Sequence, residues 1–500
     1  MRQRLRLLLV VAAVGLGLFG LIQSRRARPV AAPAAVSRLT LVSCQLAHPF
    51  LATRIPARCG TFEVPEDHDQ PAGRKLSLRV AVIPAEAGGR EPDPVFYLAG
   101  GPGQAATEIY PAVADALARV ARKRDIVLVD QRGTGSSARL ECSDLSAPDS
   151  VDRSEAAELA LVAACAEKLS KTADLRRYGS EDFVRDLDLV RDALGAERVN
   201  LVGSSYGTRA ALVYARRFPD RVRTLVLDGV APLEMAVGGH FERDAQRAFT
   251  LAVARCAADA ACHKAFPDPA GDLAALVTSL EKGPRTLSLR DPLTGAPRQV
   301  TLDAGTVRRL VLLLSYAPET VSLLPALLAE AKRGDAGPLA ALGLSAGRDV
   351  QATISRPLQL AVLCPEDEPW FPPDDPAADR TRYLGGSVRE AFRAACQRFP
   401  HGTRPASFRE PVRSPAPTLL LSGEADPVTP PEWAAIAGKN LPNSRQLTLA
   451  GQGHGTLGRG CMPKLVERFI AAGKADGLDA TCLDAVRPQP FFLDLAGPMP

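Results

Sequence analysis

Val199-Asn200-Leu201-Val202-Gly203-Ser204-Ser205-Tyr206-Gly207, continued by Thr208-Arg209-Ala210-Ala211-Leu212-Val213-Tyr214-Ala215-Arg216-Arg217, decides how the rest of the chain is read. Val199–Val202 is a short apolar run that predicts a strand, and Tyr206 to about Arg217 predicts a helix. Between them stands G-x-S-x-G, with Ser205 rather than Ser204 at its centre. That motif places a serine on a sharp strand-to-helix turn. Side chains at Gly203 and Gly207 would collide with the neighbouring strand and helix, and the helix N-terminus directs backbone N–H groups toward negative charge.

The same alternation extends outward. Thr224–Leu227 reads as the next strand. Before the motif, Ser180 is placed to cap a helix from Glu181 to about Leu194, with Gly195 as its stop. Pro94–Leu98 and Asp125–Val129 are apolar runs suited to strands buried on both faces, and Leu76–Ile83 alternates as a one-faced strand does. Strands alternating with helices imply an α/β fold with a mostly parallel sheet. The alternation stops near Gly229 and resumes at Thr418–Ser422 and Gln446–Leu449. We therefore expect a core in two parts, 41–229 and 416–500, interrupted by a mainly helical cap at 230–415. Two sequential domains are the competing arrangement, but features that carry chemistry lie on both sides of the insertion.

A serine hydroxyl needs a base. The chain has six histidines. His48 and His68 precede the main strands, and His240, His263 and His401 lie in or beside the insertion. His454 alone follows the last predicted strand, in the flexible Gly451-Gln452-Gly453-His454-Gly455 loop. An orienting acid should fall between serine and histidine in this chain order. Asp426, in the loop after Leu419–Ser422, is the best placed, with Glu424 second and Asp228 third. The oxyanion should be held by two backbone N–H groups: that of Tyr206 and one from Ala99-Gly100-Gly101-Pro102-Gly103, for which Gly101 is chosen. No Gly-Lys-Ser/Thr follows that loop, so it is not a phosphate-binding loop.

Composition narrows the setting. The net charge of +5 arises from six arginines within the first 28 residues, and the remainder is close to −1, so no nucleic-acid surface is expected. Residues 1–28 join those arginines to an apolar run, Leu7–Ile22, and read as a signal peptide or an N-terminal membrane anchor. Residues 29–40 read as a linker. Ten cysteines fall into five local couples: Cys44 and Cys59, Cys142 and Cys165, Cys256 and Cys262, Cys364 and Cys396, Cys461 and Cys482. In an exported chain such couples predict disulfides. Metal-ligand spacing is not met, and neither metal nor cofactor is expected. The location expected is extracytoplasmic: secreted, periplasmic or anchored by the N-terminus. No signature of oligomeric state is present.

Together the Gly-Gly-Pro-Gly loop, Asp130-Gln131-Arg132-Gly133-Thr134-Gly135, the Gly-Ser-Ser-Tyr-Gly elbow and the late Asp and His resemble the prolyl iminopeptidases. The likeness is closer to their larger exported relatives, the tripeptidyl aminopeptidase-like hydrolases, and covers about residues 40–480. Cys44, Cys59, Gly60, Val64-Pro65 and Ala361-Val362-Leu363-Cys364 share in it. The resemblance implies the α/β-hydrolase fold and removal of N-terminal residues from peptides under a helical cap. It implies a Ser205–Asp426–His454 triad, an oxyanion hole of Gly101 and Tyr206, and structural roles for Asp130 and Arg132. Ala99 stands where prolyl iminopeptidases usually carry histidine, which weakens a strictly proline-specific reading. An aminopeptidase must also hold a free ammonium, for which Glu366, beside Asp367 and Glu368, is proposed. The expected partner is a peptide or a small acyl substrate. An esterase or lactone hydrolase, and a non-catalytic binding protein on the same scaffold, are the alternatives.

Overall fold

The computed structural model describes residues 39–86, 89–145 and 155–495. The export segment at 1–28 and most of the linker at 29–40 lie outside the described residues. The first strands are β1 (Val42–Ala47), β2 (Arg54–Pro65), β3 (Lys75–Ile83), β4 (Val95–Leu98), β5 (Ile126–Val129), β6 (Val199–Ser204) and β7 (Val222–Asp228). A separate hairpin follows, β8 (Arg285–Arg290) with β9 (Pro297–Leu302), and then β10 (Thr418–Gly423) and β11 (Ser444–Leu449).

Nine strands form one sheet in the order β1-β2-β3-β5-β4-β6-β7-β10-β11. The pairings from β1 through β3 to β5 are antiparallel, and every pairing from β5 to β11 is parallel. The central strands carry apolar side chains to both faces because helices cover both. On β4, Val95 and Tyr97 join one apolar core with the helices Ala106–Ala121 and Met462–Ala472. Phe96 and Leu98 join the other, with Ser180–Ala193 and Tyr206–Arg217. β3, nearer the edge, keeps the one-sided pattern, with Leu76, Leu78 and Val80 inward and Lys75 and Ser77 exposed.

Between β7 and β10 the chain is mostly helical and builds its own apolar cluster, which includes Leu276, Leu310, Leu327 and Leu339. The β8–β9 hairpin was not anticipated: its alternation is diluted by exposed Arg and Thr, because only one of its faces is covered. β1 and β2 were also unread, since β2 mixes Arg, Pro and Glu with its inward side chains. Another difference concerns Ser180. Gly179, not Ser180, is the N-cap residue, and the free N–H of Ser180 donates across 2.7 Å to Glu366 Oε1, 186 positions away.

All ten cysteines pair in chain order, as Cys44–Cys59, Cys142–Cys165, Cys256–Cys262, Cys364–Cys396 and Cys461–Cys482. Cys364–Cys396 joins two cap helices, Arg356–Glu366 and Ser387–Cys396. A disulfide set of this kind is consistent with an extracytoplasmic protein. Among the described residues, no helix is long and apolar enough to cross a membrane.

Candidate active site

β6 ends at Ser204, and Ser205 turns the chain into the following helix with φ 55° and ψ −123°. A positive φ is uncommon for a residue with a side chain and holds strain of roughly 1–3 kcal/mol. Neighbours fix it. The Ser205 N–H donates to Asp228 O at 2.8 Å, and the Ser205 carbonyl accepts from Thr208 N at 2.9 Å and Thr208 Oγ1 at 2.6 Å. The flanking glycines are required by close approach: a Cβ on Gly203 would lie 2.4 Å from Gly207 O, and one on Gly207 would lie 2.1 Å from Leu98 O.

Asp426 and His454 come from the loops after β10 and β11. His454 Nδ1 lies 2.8 Å from Asp426 Oδ2, and Asp426 is fully buried. Asp426 Oδ1 accepts from Val428 N and Thr429 N at 2.9 and 2.8 Å, and Oδ2 accepts from Thr429 Oγ1 at 2.8 Å. The carboxylate is thus held in place while one lone pair meets the ring, which assigns the proton to Nδ1 and leaves Nε2 as the basic nitrogen. Burial works against the imidazolium, but contact with Asp426 and the nearby charge of Asp228 outweigh it, so the pKa of His454 stands above its ordinary 6.5. Burial would likewise raise Asp426, yet His454 and the two backbone N–H groups hold it below the usual carboxylate range.

The ring sits over Gly229. A Cβ at Gly229 would lie 2.9 Å from His454 Cε1, so only glycine leaves space for the imidazole. Gly229 directly follows Asp228, whose carbonyl holds the Ser205 N–H, and this links the Ser205 turn and the His454 ring through two adjacent residues. Ser205 Oγ makes no hydrogen bond among the described residues. Such contacts are often long without substrate and tighten when it binds.

The Asp228 carboxylate, weighed above as a third partner for the ring, serves otherwise. It accepts from Thr456 N and Leu457 N at 2.9 Å and from Thr456 Oγ1 at 2.8 Å, pinning the loop just beyond His454. Glu424, the second candidate, is exposed and accepts from Gly451 N at 2.8 Å, away from the imidazole. Two contributors had no sequence signal of their own. Thr429 Oγ1 lies 3.1 Å from His454 Nδ1. Tyr316, from the cap, accepts the His454 N–H on its carbonyl at 2.8 Å and sets its ring edge-on to the imidazole at 5.3 Å.

The glycine loop after β4 lies against the serine: a Cβ on Gly100 would stand 3.1 Å from Ser205 Cβ. Among the described residues, neither the Gly101 N–H nor the Tyr206 N–H is taken by a protein acceptor. Both donors are therefore uncommitted among the described residues. No group of three or more His, Cys, Asp or Glu positioned to hold a metal occurs among the described residues.

Comparison with known proteins agrees with this fold. A family described as alpha/beta hydrolase fold matches residues 93–292, and one described as TAP-like protein matches residues 382–482. The chain has the α/β-hydrolase fold. It is 29% identical over 525 residues to the serine protease Hip1 of Mycobacterium tuberculosis, covering 95% of this chain and 98% of that one. It is 28% identical over 480 residues to the tripeptidyl aminopeptidase of Streptomyces lividans, covering 87% and 85%. It is also 29% identical over 476 residues to carboxylesterase B of Mycobacterium tuberculosis, covering 85% and 86%.

Beneath the elbow of this serine hydrolase lies a polar layer that departs from one sequence expectation. Glu366 is fully buried, and neither carboxylate oxygen is free: Oε1 accepts from Ser180 N and Oε2 from Ser180 Oγ, each at 2.7 Å. Ser180 Oγ in turn lies 2.9 Å from Tyr206 OH, which also accepts from Gln131 Nε2 at 3.3 Å. Glu366 is thus a support under Tyr206 and a cap for the Ser180–Ala193 helix, with no open edge for a substrate ammonium. Burial raises its pKa, opposed chiefly by Arg404. Asp130 and Arg132 are buried as well. Asp130 accepts from Thr107 N and Oγ1 at 2.8 and 2.9 Å, and burial pushes its pKa up to about 6. Arg132 grips Asp186 with Nε and Nη2 at 2.7 and 2.6 Å.

Proposed function

We propose that this hydrolase is an extracytoplasmic serine peptidase that releases N-terminal amino acids or short peptides through an acyl-enzyme on Ser205. The arrangement of His454 carries the reading: a buried carboxylate fixes one ring nitrogen, and the ring rests on Gly229 beside the residue that holds the serine turn. In this mechanism His454 Nε2 takes the Ser205 proton as Oγ attacks the scissile carbonyl carbon. The oxyanion is met by the Gly101 and Tyr206 N–H groups. The leaving amine takes the proton from the imidazolium as the C–N bond breaks, and water then hydrolyses the ester by the same route. Asp426 keeps the ring in its working tautomer.

The relatives named serine protease and tripeptidyl aminopeptidase support peptide substrates, and the TAP-like match spans the region that bears Asp426 and His454. An esterase is the second reading, supported by carboxylesterase B, which is also 29% identical. Secretion, periplasmic residence and tethering through the first 28 residues all agree with the disulfides. The test is a set of tripeptide arylamides with free and blocked N-termini, alongside simple aryl esters. Turnover of free-amine arylamides above blocked ones, lost in Ser205→Ala, is the expected result. Hydrolysis of esters alone would replace the peptidase reading with the esterase one.

A further inference from the structure

Gln104 combines a fixed root with a free tip. It ends the glycine loop after β4, and the cap holds the backbone there. Ser355 N donates to the Gly103 carbonyl at 2.9 Å, and Gln104 forms an antiparallel bridge with Ile354. Gln104 N donates to Gly100 O at 3.3 Å. The preceding residue must be glycine, because a Cβ on Gly103 would lie 2.7 Å from Ser355 O. The side chain then folds back over Gly100. A Cβ on Gly100 would stand 3.1 Å from Gln104 Oε1 and 3.1 Å from Ser205 Cβ, so the amide oxygen and the nucleophile's side chain are close neighbours. The Gln104 carboxamide forms no hydrogen bond among the described residues. Both residues are partly buried, yet neither that carboxamide nor Ser205 Oγ is sealed from solvent. An unpartnered acceptor therefore opens beside the nucleophile.

Sheet order fixes which side of the substrate it meets. β6, which leads into Ser205, lies between β4 and β7, with β10 and β11 beyond β7. His454 follows β11, and Gln104 follows β4. The leaving amine must meet His454 to take its proton, so the acyl residue extends the other way, toward Gln104. In the acyl-enzyme the bonds Oγ–C, C–Cα and Cα–N lead from Ser205 to the nitrogen of that residue. This nitrogen carries hydrogen in both cases, as the ammonium of a single released residue or as the peptide N–H of a longer one. We infer that Gln104 Oε1 accepts a hydrogen bond from this nitrogen. Gln104 is then a substrate-binding residue that separates aminoacyl and peptidyl groups from plain acyl groups. A neutral amide suits the place: it accepts from either form of the nitrogen, and it sets no negative charge against the developing oxyanion. The assignment rests on the peptidase reading.

The test measures kcat/KM on two pairs of para-nitroanilides that differ only at that nitrogen. One pair is trialanyl and its analogue with an ester oxygen in place of the last N–H; the other is alanyl and propionyl. Titration of Ser205 with a phosphonate gives the active fraction of each protein, which takes misfolding out of the comparison. The wild-type protein should favour the nitrogen-bearing member of whichever pair it turns over. In Gln104→Leu that preference should fall by about tenfold. Gln104→Glu keeps an acceptor at the same reach and should retain the preference, even where its charge slows every substrate. A preference absent from the wild-type protein, unchanged in Gln104→Leu, or lost equally in both variants overturns the proposal and leaves the peptidase reading standing. Turnover of neither nitrogen-bearing anilide overturns the peptidase reading, and this proposal with it.

Discussion

Two buried aspartates lie at the ends of neighbouring strands and do different work. Asp228 closes β7, and Asp426 sits three residues beyond β10, which pairs with β7 through Leu421 and Asp228. Both are almost wholly enclosed. Their pKa values move in opposite directions. Asp228 receives only neutral donors, from Thr456 and Leu457, and burial raises it. Asp426 faces an imidazole that can take a positive charge, and it is lowered in spite of its burial. One carboxylate holds the ring and the other holds the backbone that follows the ring. The difference shows that burial alone does not set the role of an acid; the charge its neighbour can adopt does.

The comparison can be broken or sharpened by substitution. The largest loss should come from the hydroxyl that both acids serve: Ser205→Ala should lower kcat by about 10⁶-fold, read with the best arylamide or ester substrate. Asp426→Asn should follow at about 10⁴-fold, because an amide no longer fixes the tautomer. Its pH profile should change as well. In the wild-type protein the base must be neutral, so kcat/KM should fall as pH drops through a midpoint above 6.5. Without the Asp426 charge that midpoint should move down.

Asp228→Asn should cost about 10²-fold or less, through displacement of the loop after His454. It should also move the acidic midpoint down, by less than Asp426→Asn, because Asp228 contributes the smaller part of the raised pKa. An unchanged midpoint would leave Asp228 as a purely structural anchor. The smallest catalytic effect should come from Glu366→Gln. It should reduce stability by about 1–3 kcal/mol in denaturant unfolding and shift arylamide and ester kinetics alike. A rise in KM confined to free-amine peptides would return Glu366 to the substrate.

The sequence made the elbow legible because its geometry is local: two glycines, a serine and the change from strand to helix lie within a few residues. The positions of His454 and Asp426 were legible from chain order and from glycine-rich loops after apolar runs. The separate uses of Asp228, Glu424 and Asp426 were not, since each follows a strand and only side-chain direction separates them. Ser180 shows the same limit. It looked like a helix cap by type, but its N–H is met by Glu366 from the far end of the insertion. Tyr316 was invisible for a related reason: its carbonyl does the holding, and a carbonyl leaves no trace in residue identity.

The insertion between β7 and β10 leaves and rejoins the sheet at strands that are immediate neighbours. Whatever its length, it demands the same small gap at its two roots, so residues can be gained or lost in it without re-registering a single strand. The insertion can therefore change over evolutionary time while Ser205, Asp426 and His454 keep their places on the sheet. Grafting the corresponding segment from a relative is the natural way to exploit that freedom.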